Sequence, residues 1–305
     1  MVEVSGRNAV PTFREEFACA NFLLSHPDHR VFVRSSCPST VRRCAFLFYR
    51  IAVALFCFAY VIRSGFYAND DGDVGDPRWF IYLTDWGFAF LTAYLLWAAC
   101  VLIYHAVNGD LVEDEEEKAK KDAPLLWFHR VEWLLFNLGV TISFLVSILY
   151  WCLLFPGKDD VDSSKNETRT DVSTEIDVVM HTVNSIISLA DVFLSGIPVR
   201  ILHAIYPMIS GLIYAVFTVI YWAADGTNSY NGEPYIYPVI DYGGKPIVAS
   251  LTVTMSVFVA VPLAHLLVYG CYRLREKVGR LYCIKEVKGK KDCQSQEETC
   301  IMETM

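Results

Sequence analysis

Few residues in the long apolar runs of this sequence are able to take part in chemistry. One series, His181, Asn184, Ser188 and Asp191, is spaced i, i+3, i+7 and i+10, which puts all four on one face of a helix. Thr84 and Asp85 stand near the start of another run, and Asn137 and His265 lie in two more. A threonine hydroxyl is a poor nucleophile until a base takes its proton, and a neutral imidazole suits that task. Thr84 and His181 would make such a pair if the fold brought them together. Each residue also has a plainer reading. A threonine in a membrane helix ordinarily bonds its own i−4 carbonyl, and a histidine near a helix start commonly serves as an interhelical hydrogen-bonding group. Asp191 lies ~15 Å along the helix from His181, too far to orient it, and reads as a buried group paired with another helix. Asp85 projects about 100° away from Thr84, which leaves its role open. His265 reads as polar glue between helices. Ten cysteines include no CxxC pair and no Cys/His cluster, so neither metal nor cofactor is expected. Cys283, in a basic tail, reads as a free thiol, with palmitoylation as the alternative.

The elements that must position these groups are membrane spans. A spanning helix needs ~20 mostly apolar residues to cross a hydrocarbon core ~30 Å thick. Six runs qualify: 45–67, 79–104, 133–155, 176–196, 202–224 and 246–269. The expected fold is therefore all-α, a six-helix transmembrane bundle over 45–272 with a segment 1–44 before it and a tail 273–305 after it. Arg50 and Arg63 fall near the two ends of the first span, where their stems are able to snorkel to headgroups. The short turn after the fourth span predicts that spans four and five are antiparallel neighbours. Thr84 and His181 each lie five residues inside spans that start on the same side, roughly 7 Å deep, so the topology allows them to meet.

Composition and charge agree. The 305 residues are 54% hydrophobic with mean hydropathy +0.33. The net charge of −8 and the lack of a basic, aromatic-studded stripe exclude a nucleic-acid reader. Eighteen Lys and Arg flank the spans on the side of the termini and six on the other, which predicts cytosolic termini. The sequon Asn166-Glu167-Thr168 then falls in an outer connection, where it is a candidate glycosylation site. The acidic run 113–118 reads as a solvated linker, and basic residues at 288–291 suit anionic lipid. Membrane lipids are the expected partners.

Three stretches carry a family resemblance. Arg78-Trp79-Phe80-Ile81-Tyr82-Leu83-Thr84-Asp85-Trp86-Gly87-Phe88, Met180-His181-Thr182-Val183-Asn184 and Tyr235-Ile236-Tyr237-Pro238-Val239-Ile240-Asp241-Tyr242 resemble landmarks of the rolling stone family over roughly 40–280. That resemblance implies a multipass protein linked to myoblast fusion, at the plasma membrane rather than the endoplasmic reticulum. More distantly, the same landmarks are similar to the androgen-induced protein family of intramembrane hydrolases, which cleave fatty acid esters of hydroxy fatty acids. In that family a Thr is the nucleophile and a His its partner, and the matching positions are Thr84 and His181. The chain departs from the hydrolases at Asp85-Trp86-Gly87, at Val183-Asn184 and in a longer fifth-to-sixth connection. The hydrolase resemblance implies Thr84 as the nucleophile, which would form an acyl-enzyme; the neighbouring Asn184, Thr182 and Asp85 are the candidate oxyanion donors or orienting groups. The competing expectations are a non-catalytic surface protein promoting cell–cell fusion and, with less in its favour, a transporter. No internal repeat or ring of intramembrane charge supports the transporter.

Overall fold

In the computed structural model, which describes residues 13–36, 43–66, 77–108, 125–154, 171–229 and 231–279, six helices are long and apolar enough to cross a membrane. They are α1 (Cys44–Phe66), α2 (Leu83–Val107), α3 (Trp127–Cys152), α4 (Glu175–Leu194), α5 (Ile201–Ala223) and α6 (Pro246–Gly279). Lipid offers no partner for backbone N–H and C=O groups, so each span satisfies them internally as a helix. Among the described residues there is no strand, only one isolated bridge between Ser35 and Ser195. The sequon at Asn166, the acidic run 113–118, Cys283 and the basic residues 288–291 lie outside the described residues.

α3 is the most buried span and the one around which the others pack. α2 lies along it and approaches closely at Gly139, where a Cβ would meet the Leu91 Cα at 2.8 Å. A small residue at that point lets the two backbones approach, the usual device for packing helices in lipid. α1 packs on α2, α4 packs on α3 and α2, and α5 packs on α3 and α6. Thr141 Oγ1 and His265 Nδ1 join α3 to α6 at 2.9 Å, so His265 is the interhelical glue its sequence position suggested.

Several expectations need correction. α5 does not pack beside α4 as a hairpin partner. The link 195–200 begins and ends in extended backbone, and at ~3.4 Å per residue six extended residues reach about 20 Å, enough to carry the chain across the bundle to the far side of α3. Arg275 holds that link by donating to the carbonyls of Ser195 and Ile197. Arg50 does not snorkel. It is 1% exposed, pairs with Asp191 at 2.9 Å and donates to the Tyr94 hydroxyl at 2.8 Å. Arg63 does reach the surface, where it pairs with Glu175 at 2.8 Å.

Boundaries shift for local reasons. α2 starts at Leu83 rather than at 79, because Pro77–Ile81 forms a 3-10 turn and Tyr82 is extended. α3 starts at Trp127, earlier than 133, and buries His129 and Glu132. Their polarity hid this first turn from a hydropathy reading. The cover comes from residues 13–36, which fold across this end of the bundle. There the Phe32 ring packs against His129 and Trp133 at 5.6 and 5.4 Å between centroids. Arg200 pins the segment by donating to the carbonyls of Leu23 and Ser25. Both chain ends of the bundle, at α1 and α6, lie on this same side.

Candidate active site

Thr84 is the second residue of α2. A helix start leaves its first N–H groups without helical partners, and there is no helical i−4 carbonyl behind Thr84 for its hydroxyl to bond. The plain fate of a membrane-helix threonine is thus closed to it. The start of α2 is instead held by α5 and the α5–α6 connection. The Leu83 N–H donates to the Tyr237 hydroxyl at 3.0 Å, Tyr214 donates to the Ile81 carbonyl at 2.8 Å, and Arg78 donates to the Asn228 carbonyl at 3.0 Å. The Tyr82 hydroxyl accepts the Ser229 N–H at 3.0 Å. These bonds fix where Thr84 stands.

His181 reaches the same place from α4. Residues Val179–Val183 form a π turn, in which the Asn184 N–H bonds the Val179 carbonyl five residues back. Wide turns of this kind displace the ordinary i−4 pairing and recur at functional sites. The imidazole uses the opening: its Nδ1 lies 2.8 Å from the Asp177 carbonyl oxygen. A carbonyl only accepts, so Nδ1 carries the proton and Nε2 is left with a lone pair. Nε2 lies 3.2 Å from Thr84 Oγ1. The Tyr150 ring stacks on the imidazole at 3.7 Å between centroids and 16° between planes, which holds the ring in that orientation. The Asp177 carboxylate is 3.8 Å from Nδ1, close enough to favour an imidazolium if one forms.

The two residues singled out on spans two and four are therefore brought together. The others named with them are not. Thr182 accepts a hydrogen bond from the Trp151 indole at 3.2 Å, away from Thr84. Asn184 is buried, and its Oδ1 accepts from Ser147 Oγ at 3.2 Å. Asp85 is buried with the hydroxyls of Tyr237 and Tyr214 in its electrostatic neighbourhood. None of the three is bonded to Thr84 or His181. Asp177, Tyr150 and Tyr237 were not singled out from the sequence. A Tyr-Pro motif ahead of the last span was the one available signal for Tyr237, whose side chain lines the same cleft as Thr84.

Thr84 opens on an apolar cleft of about 100 Å³ between α2, α3, α5 and α6. Its walls run from Tyr237 and Tyr150 past Leu145 and Val257 to Pro207 and Val261. On α6 the lining runs from Thr252 to Val261, a rise of about 14 Å at ~1.5 Å per residue. A threonine hydroxyl in contact with an imidazole and lining an apolar slot is an arrangement that suits a carbonyl attached to an acyl chain.

The comparisons place this architecture. The family profile described as protein rolling stone matches residues 7–288. A relative from Drosophila melanogaster named protein rolling stone is 27% identical over 277 residues, covering 90% of this chain and 93% of its own length. No solved structure matches the chain. With six membrane-crossing helices and a family match over nearly its whole length, the chain is a multipass membrane protein that belongs to the rolling stone family.

Proposed function

We propose that this protein is an intramembrane hydrolase of long-chain lipid esters in which Thr84 is the nucleophile and His181 the base. The observation that carries this reading is the 3.2 Å contact between Thr84 Oγ1 and His181 Nε2, with the other ring nitrogen committed to the Asp177 carbonyl. The tautomer, the ring orientation and an Nε2 lone pair facing Thr84 are what a general base needs. The landmarks read from the sequence as resembling the androgen-induced hydrolases fit this reading, and fatty acid esters of hydroxy fatty acids are the substrates it proposes.

Thr84 Oγ attacks the ester carbonyl while His181 Nε2 takes its proton. His181 then gives that proton to the departing alcohol, leaving an acyl-threonine. Water adds to the acyl carbon with His181 as base again, and the acid departs as Thr84 regains its proton. Tyr237 is the better oxyanion donor than Asn184 or Thr182. Its oxygen accepts the Leu83 N–H, and its own O–H remains to donate near Thr84. The apolar cleft would hold the acyl chain. In this proposal the termini are cytosolic, the Thr84 end faces outward at the plasma membrane, and Asn166 is glycosylated on that side.

Labelling with a fluorophosphonate, which loses fluoride as a Thr84 Oγ–P bond forms, tests the pair in lipid nanodiscs. Wild type is expected to be labelled on Thr84, Thr84→Ala to be unlabelled, and His181→Ala to react roughly 10²–10⁴-fold more slowly. Equal labelling of all three removes the catalytic reading. In that event, fusion activity kept by both variants would favour a non-catalytic contact protein.

A further inference from the structure

A hydrolase whose substrate slot is apolar must bring its water by another route. The buried face of α4 offers one. Below His181 on that face lie Asn184, Ser188 and Asp191, each 0% exposed. Asn184 Nδ2 and Ser188 Oγ have no hydrogen-bond partner among the described residues. Asp191 belongs to a cluster at the chain-end side of the bundle, where it accepts from Arg50 and from the Tyr94 hydroxyl at 2.5 Å. In that cluster Arg50 Nη2 and both oxygens of the fully buried Glu132 are likewise without partners among the described residues. A buried polar atom without a partner costs roughly 1–3 kcal/mol, and this face gathers several.

The chemistry of these atoms says what satisfies them. Asn184 Nδ2 and Arg50 Nη2 donate, the Glu132 oxygens accept from a donor, and Ser188 Oγ does both. An anion would suit the donors but face Asp191 and Glu132, and a cation would face Arg50. Water alone answers both kinds. Cβ atoms one helical turn apart lie about 5–6 Å apart, a span that a single water bridges with two hydrogen bonds of ~2.8 Å.

We propose that the buried face Asn184–Ser188–Asp191 of α4 holds a file of water that links the Arg50–Asp191–Glu132 cluster to His181 and supplies the water that cleaves the acyl-enzyme. The second half of this rests on the hydrolase reading; the first half does not. In the cleavage step a water from the file adds its oxygen to the acyl carbon and gives a proton to His181 Nε2. The bond from the acyl carbon to Thr84 Oγ breaks, and that oxygen takes the proton, so a carboxylic acid leaves and the enzyme is restored. Ser188 acts here as a positioning residue, since it touches neither substrate nor Thr84.

Two measurements test the proposal. Ser188→Val fills the file with methyl groups, and Ser188→Thr keeps the hydroxyl. With a long-chain ester in nanodiscs, Ser188→Val is expected to label with fluorophosphonate at the wild-type rate, turn over at least about 10-fold more slowly, and accumulate an acyl adduct on Thr84 in the intact mass. Ser188→Thr is expected to recover turnover. Wild-type turnover without an adduct in Ser188→Val overturns the catalytic half. Hydroxyl-radical footprinting of wild type tests the file itself, because radicals made from bound water oxidise the side chains beside it. Tyr94 is expected to be oxidised while the equally buried Phe88 is not, and an unmodified Tyr94 overturns the file. A wild type that never labels with fluorophosphonate but oxidises Tyr94 would end the hydrolase reading and leave the file standing.

Discussion

Thr84 and His181 illustrate how little of a site a sequence spells out residue by residue. The two types and the shared level within the bilayer were legible, because alternating hairpins put both near one end of the bundle. Their contact was not, since it depends on Thr84 standing in the first turn of α2 and on the π turn of Val179–Val183. Hydropathy carries no signal for either. Tyr237 makes the point energetically. If its hydroxyl meets the developing oxyanion, Tyr237→Phe removes one donor and is expected to lower ester turnover by roughly 10²–10³-fold, with the Michaelis constant little changed; steady-state kinetics in nanodiscs check this. Arg50 reads as a snorkelling residue by its place in the run and is instead locked to Asp191 at 2.9 Å. Asp191→Asn leaves that guanidinium buried without its counter-charge and is expected to destabilise the protein by about 3–5 kcal/mol. The double variant Arg50→Met with Asp191→Leu, which removes both charges, should recover most of the loss in thermal unfolding in detergent.

At the scale of elements, the six spans were legible because lipid demands long apolar helices, whereas their ends and neighbours were not. The first two turns of α3 carry His129 and Glu132, which are polar in type yet buried, His129 against His29 and Phe32 of the segment 13–36. No rule based on composition anticipates a cover drawn from a polar N-terminal stretch. α4 and α5 were expected to be neighbours because their link is short, but that link is extended rather than a turn. The close approach of α2 and α3 is a matter of one atom: Gly139→Ala would set a Cβ 2.8 Å from the Leu91 Cα. Backbone cannot step aside as a side chain can, and a loss of about 1–3 kcal/mol is expected in the same unfolding assay. The N-terminal cover adds a pH dependence. Burial pushes His26 below its ordinary value of 6.5, and its ring meets Trp133 edge-on at 6.1 Å. Between the lowered value and 6.5 the undocked segment binds more protons than the docked one, so docking is strongest above 6.5 and weakens as pH falls below it. Thermal stability should therefore drop from pH 7.5 to 5.5, and His26→Phe should flatten that drop.

Across the whole molecule, family membership and the six-helix bundle fix what kind of protein this is, and the buried polar atoms indicate where its chemistry would lie. One series of buried polar groups runs from His129 and Glu132 through Arg50 and Asp191 toward His181, which meets Thr84 beside an apolar cleft. The decisive observation is the mass of the peptide carrying Thr84 after a brief, quenched incubation of the wild-type protein with a long-chain ester of a hydroxy fatty acid. An increase equal to the acyl group, absent from His181→Ala, is the expected result. An unmodified Thr84 in wild type, with ester consumed at the same rate by Thr84→Ala, would show that the hydroxyl is not the nucleophile.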